Sequence, residues 1–180
     1  MESLRGHYLI AAPSLLDPNF ARAVVLIAEH SEEGAMGVIL NRASDTTVAE
    51  AVPELDGLAG ADLVHVGGPV APESVVVLGE YADPDEAGLL VCGHVGLPAV
   101  DDELDDLDRA TRRVRIFAGH AGWGPGQLDA ELEREDWIVE PAVPEEIFTG
   151  DPEGLWSAVL ARKGGQFALV ARMPLDPSLN

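Results

Sequence analysis

The chain reads as a single α+β domain, because strand-like runs cluster early, helical patterns gather late, and the early connections are short. Short connections suit antiparallel neighbours, whereas a parallel sheet would need a crossover between successive strands. The 180 residues are 47% hydrophobic and 24% charged, a folded rather than a disordered composition. At that length one core can bury roughly 70% of the unfolded surface. No repeat, linker or low-complexity stretch divides the chain, so residues 1–180 form one domain.

His7 to Ala12 is a short apolar run closed by Pro13, and reads as a strand. Asp17-Pro18-Asn19 is a turn cluster. Ala21 to Glu29 is nearly all apolar and β-branched at its centre, the pattern of a strand buried on both faces. Ser31-Glu32-Glu33-Gly34 supplies a turn, and Ala35 to Leu40 returns to complete a hairpin. Thr47 with Glu50 three residues on is a capping box that opens a short helix ended by Pro53. Leu63–Val66 and Val75–Leu78 are strands on either side of Gly67-Gly68-Pro69. Leu89–Cys92 and Val114–Phe117 follow as strands.

The acidic run 101–108 has no glycine at the sixth position of a calcium loop and no spaced terminal Glu. Leu104 and Leu107 at helical spacing, with Asp105 and Asp108 each four residues before an arginine, predict a solvated helix carrying i,i+4 pairs. Gln127 to Glu135 places Leu128 and Leu132 on one helical face. Asp151-Pro152 opens a further helix with an apolar stripe of Leu155, Trp156, Val159 and Leu160, stopped at Gly164-Gly165. Gln166 to Ala171 fits either a strand or a helix, and 172–180, with Pro174 and Pro177, is a loose tail.

Eleven basic against 32 acidic residues give a net charge of −21. Such a field repels polyanions, so direct contact with nucleic acid is not expected, nor is an anionic membrane surface. Only Arg109, Arg112, Arg113 and Arg115 cluster, and they follow the acidic run. No segment reaches the ~18 apolar residues of a spanning helix, and the first residues lack the order of a signal peptide. Cys92 is the only cysteine, which excludes an intramolecular disulfide. A cytoplasmic protein without metal or cofactor is the expectation.

No nucleophile elbow, Walker loop or H-E-x-x-H motif occurs. Cys92-Gly93-His94 brings two soft ligands together, fewer than the three or four zinc requires. The unusual stretch is Gly119-His120-Ala121-Gly122-Trp123-Gly124-Pro125-Gly126-Gln127-Leu128, read as a loop between a strand and a helix. A rigid glycine loop bearing an imidazole and an indole is a plausible recognition surface. Gly67-Gly68 forms a second glycine bend, and Asn41-Arg42 a polar pair at a strand end. Arg22, at the start of a buried strand, must find a carboxylate, water or ligand for its charge.

Ordered motifs along residues 6–163 resemble the AlgH/YqgE family of bacterial proteins. They include Gly6-His7-Tyr8-Leu9-Ile10-Ala11, Pro13 to Phe20, Glu29-His30, Gly34 to Val38, Asn41-Arg42, Gly67 to Val70 and Gly119 to Leu128. Trp137, Pro141-Ala142, Ile147-Phe148 and Trp156 continue the pattern. The resemblance implies a coiled, bulged, mainly antiparallel sheet with flanking helices. It implies no established reaction, although some members carry the label of transcriptional regulator. This chain departs from the family at His120, where tyrosine is usual, and over Cys92–Thr111.

The resulting expectation is a ligand- or protein-binding regulatory domain that does not touch DNA. Its candidate ligand-binding residues are His7, Arg22, Asn41, Arg42, Gly67, Gly68, His120 and Trp123, gathered from chain-distant sheet margins. The partner is an unspecified small molecule or protein. The alternative is a small-molecule enzyme, of hydrolase type, with His120 as general base and Arg22 or Arg42 holding an anion. A third reading is assembly through an exposed apolar patch or an edge strand.

Overall fold

The computed structural model describes residues 2–174, so the predicted loose tail lies outside the described residues from Leu175 onward. In chain order the elements are β1 (His7–Ala11), β2 (Val24–Ser31), β3 (Gly34–Ile39), β4 (Ala43–Thr47), α1 (Val48–Ala51), β5 (Leu63–Val66) and β6 (Val70–Tyr81). Then come β7 (Leu89–Cys92), β8 (Val95–Leu97), α2 (Leu104–Ala110), β9 (Thr111–Trp123), α3 (Gln127–Glu133) and β10 (Trp137–Pro141). Helices α4 (Pro144–Ile147), α5 (Leu155–Lys163) and α6 (Gln166–Val170) follow. The architecture is α+β, with the sheet order β10-β1-β2-β3-β9-β6-β8-β7; β5 lies beside β9, and β4 beside β5.

All of these strand pairs are antiparallel except β5 with β9. Register shifts interrupt β2–β3 between Ile27 and Glu29, and β6–β9 between Val70 and Val75, so the sheet is bulged. The predicted hairpin is β2–β3, with Val24 to Ala28 buried on both faces. Its first strand begins at Val24 rather than Ala21. Residues 21 and 22 form a turn, and Arg22 takes φ +56°, a left-handed backbone that no regular strand accommodates.

The largest departure from the sequence reading is β9. The predicted Val114–Phe117 strand is the middle of a 13-residue strand that runs on through Gly119–Trp123. The glycine stretch is therefore strand as far as Trp123 and turns only at Gly124–Gly126, before α3. Gly119, which looks like loop chemistry, here permits close backbone approach to Gly68. Strand β9 pairs with β6 along most of its length, with β5 at Ile116–Ala118 and with β3 at Ala121–Trp123.

Thr47 caps α1 as expected, its Oγ1 accepting from the Glu50 amide at 3.2 Å. The acidic run does form α2, but the helix ends at Ala110. Arg112 therefore lies on β9, and the predicted Asp108–Arg112 pair has no helix to ride on. Arg109 bonds Asp106 at 3.2 Å, one turn back at i,i+3, instead of Asp105. The ambiguous segment is helical, as α6. Strands β4, β8 and β10, absent from the sequence reading, complete the sheet.

Three cores hold the elements together. One packs α5 through Leu155, Trp156, Val159 and Leu160 onto Tyr8, Leu26, Leu40 and Phe117. A second joins Leu9, Val25, Ile27, Trp123 and Trp137 beneath Leu128 of α3. The third places Leu107 and Ala110 of α2 against Val64, Val114 and Ile116. Strand β10 closes one margin of the sheet. There the Val139 carbonyl accepts from Lys163 Nζ and the Pro141 carbonyl from Arg162 Nη2, each at 3.2 Å. Proline adds a position with no amide to offer, so this edge is poorly suited to pairing with another chain.

Candidate functional site

Asn41 follows β3 and reaches back across the sheet to the turn before β2. Its Oδ1 accepts from the Val24 amide at 2.9 Å, and its Nδ2 donates to the Arg22 carbonyl at 2.8 Å. This clasp fixes the left-handed Arg22 and so aims its side chain. The Arg22 guanidinium lies over the Trp156 ring, 4.3 Å from Cζ to the ring centroid, and donates through Nη2 to the Met173 carbonyl. Arg42 donates to the carbonyls of Pro18 at 3.2 Å and Ala21 at 3.0 Å, which ties the same turn down from its other side.

Ala21, Arg22, Asn41, Arg42, Glu153, Trp156 and Ser157 line an open cleft of about 280 Å³. Among the described residues neither arginine has a carboxylate within ion-pair distance. Burial lowers the pKa of both guanidiniums, with the charge of Asp17 partly offsetting the effect at Arg42. Among the described residues the lining of the cleft thus holds two cationic forks and one carboxylate, that of Glu153, with the charge of Asp17 close enough to act on Arg42.

Gly67 and Gly68 meet Gly119 and His120 directly. A Cβ on Gly67 would collide with the Gly119 carbonyl, and one on Gly68 with the carbonyl group of His120. A Cβ on Gly119 would stand 2.5 Å from the Gly68 carbonyl oxygen. The junction adjoins the cleft through the backbone: Ile39 donates to Gly67 and Val66 to Arg42. It is filled by main chain, and its glycines shape the sheet.

The structure therefore brings Arg22, Asn41 and Arg42 to one cleft, with Gly67 joined to it through the backbone and the main chain of His120 packed against Gly68. His120 is half-buried on β9 opposite Val70. The other two candidates lie elsewhere. His7 starts β1 opposite Pro141, its Nδ1 3.4 Å from the Arg5 carbonyl. Trp123 sits opposite Ala35 at the far end of β3, buried against Phe20 and Trp137. Its indole and that of Trp137 both donate to one oxygen of Glu131, at 2.7 and 2.9 Å.

Glu153, Trp156 and Ser157 are cleft residues that the sequence reading left out. Their signal was the helical spacing after Asp151-Pro152, which puts 153, 156 and 157 on one face.

His65 is the only buried polar residue among those described, and its Nδ1 has no partner. Burial and then the Arg115 charge push the imidazole from 6.5 down to about 4. The unfolded chain thus takes up this proton first. The His65 contribution to stability is expected to be flat above pH 6.5 and to fall between pH 6.5 and 4, by roughly 3 kcal/mol. Urea midpoints of the parent minus those of His65→Phe, followed from pH 7.5 to 4.5, isolate the effect. Parallel profiles would refute it.

Fold and cleft together define a bulged α+β sheet protein with a two-arginine pocket on the margin covered by α5. The chain belongs to the AlgH-like family (DUF179), whose profile matches residues 8–168. It is 43% identical to a UPF0301 protein of Streptomyces avermitilis, over 100% of this chain and 97% of the relative. Against a UPF0301 protein of Mycobacterium tuberculosis the identity is 39%, over 97% and 90% of the two chains. A crystal structure of a Corynebacterium diphtheriae protein superposes with a TM-score of 0.84 at 33% identity, covering 95% of this chain and 93% of the other. The solution structure of AlgH from Pseudomonas aeruginosa gives 0.73 at 33% identity, covering 97% and 96%. No helix among the described residues is long and apolar enough to cross a membrane.

Proposed function

We propose that the protein is a cytoplasmic binding domain that takes a small anionic ligand, bearing a phosphate or carboxylate, between Arg22 and Arg42. It acts as a regulatory module without contacting nucleic acid. One observation carries the reading: two guanidiniums line one cleft, partly desolvated, and among the described residues their hydrogen-bond acceptors are all backbone carbonyls. An anion forms stronger, charge-assisted bonds with such forks than a neutral carbonyl does. Ser157 adds a hydroxyl, and Glu153 favours a ligand that also carries a donor group. The −21 charge supports the exclusion of polyanions, since a small ligand enters the cleft whereas a duplex meets the whole negative surface.

Calorimetric titration with pyrophosphate at matched ionic strength tests the reading. The parent is expected to bind saturably, and Arg22→Gln and Arg42→Gln each to weaken binding by about tenfold or more, as for a lost hydrogen bond to a charged group. Equal affinity in all three proteins, or no binding by the parent, would overturn it.

A further inference from the structure

The last described residues return to the same cleft. After the reversal at Gly164 and Gly165, both with positive φ, α6 packs back along α5 and delivers the Met173 carbonyl to Arg22. This segment is lightly anchored. Phe167, Val170 and Ala171 touch the core only as partly buried residues, and Leu169 and Met173 are 71% and 43% exposed. Segments with few buried contacts open at low free-energy cost. The arginine it engages lies over Trp156 and has a neutral peptide oxygen as its only hydrogen-bond acceptor among the described residues.

We infer that residues Ala171–Pro174 form a built-in competitor for the cleft: an anion that reaches Arg22 displaces the Met173 carbonyl and releases this strap. The inference rests on the anion reading of the cleft and adds its regulation. By linkage, whatever the strap costs the ligand, the ligand costs the strap to the same degree. Any partner that captured the released segment would therefore tighten ligand binding.

The strap carries its own reporter. The Arg172–Met173 bond is a trypsin site one residue from the contact, so its cleavage in the full-length protein measures release. Saturating pyrophosphate is expected to speed cleavage after Arg172 by about threefold to tenfold over sodium chloride of equal ionic strength, the range set by one net hydrogen bond. Arg22→Gln is expected to be cut fast without pyrophosphate and to show no further response. Hydrogen exchange of the amides of Arg172 and Met173, which now bond to Leu169 and Val170, is expected to follow the same order. Calorimetric binding of pyrophosphate with unchanged or slower cleavage would overturn the strap while leaving the anion cleft standing. Absence of binding would overturn both.

Discussion

Gly68→Ala is expected to destabilise the fold by more than about 4 kcal/mol, the range reserved for severe steric or core defects. The new methyl group would collide with the main-chain carbonyl of His120, at a backbone φ of +154° that side chains rarely adopt. Neither strand can retreat. Gly67 is pinned by the hydrogen bond its N–H donates to the Ala118 carbonyl, and His120 by its place on β9 between β6 and β3. Gly126→Ala is the control: its φ is +74°, but a Cβ there would meet open space. That variant carries only the left-handed penalty of about 1–2 kcal/mol. Urea unfolding of both separates crowding from conformation. If Gly68→Ala costs no more than Gly126→Ala, the two glycine segments are not in contact.

Trp156→Ala carries the second large effect, about 4–6 kcal/mol. Removing a tryptophan from a core costs about 3–5 kcal/mol, and Trp156 is 2% exposed. Its Nε1 also donates to the buried Ala11 carbonyl at 3.0 Å, so truncation leaves that oxygen unpaired. Trp156→Phe keeps most of the volume and loses the bond, and is expected to cost about 1–3 kcal/mol, the penalty for one unsatisfied buried acceptor. Thermal and urea melts of both variants give the comparison. A phenylalanine variant as unstable as the alanine one would show that packing contributes little here.

Local signals were readable before the fold was seen, and non-local ones were not. The β2–β3 hairpin was legible because its strands are adjacent in sequence and joined by turn residues. Thr47 and Glu50 were legible because a capping box is complete within four residues. The continuation of β9 through Gly119–Trp123 was hidden, since Gly119 is required by its close approach to Gly68, some 50 residues away. Strand β4 is short and polar, β8 has three residues, and β10 lies among helical patterns. At the cleft, Arg22, Asn41 and Arg42 stood out as charged or polar groups bordering apolar strands. Glu153 and Ser157 did not, because only the docking of α5 and of the turn that precedes it brings them there. Trp123 looked like a recognition residue because nothing local shows that Glu131 of α3 accepts the hydrogen bond from its indole N–H.

Strand β9 is shared by segments recruited from well before it in the chain: β3 from before residue 40, β5 and β6 from the middle. No contiguous stretch can therefore finish its own layer before the other segments have arrived, and most of the ordering entropy is spent before those distant pairings reward it. The consequence is kinetic and evolutionary together. The molecule is expected to assemble slowly for its size, and a cut or duplication through that central ribbon to be tolerated less well than change on the solvent-facing sides of its helices.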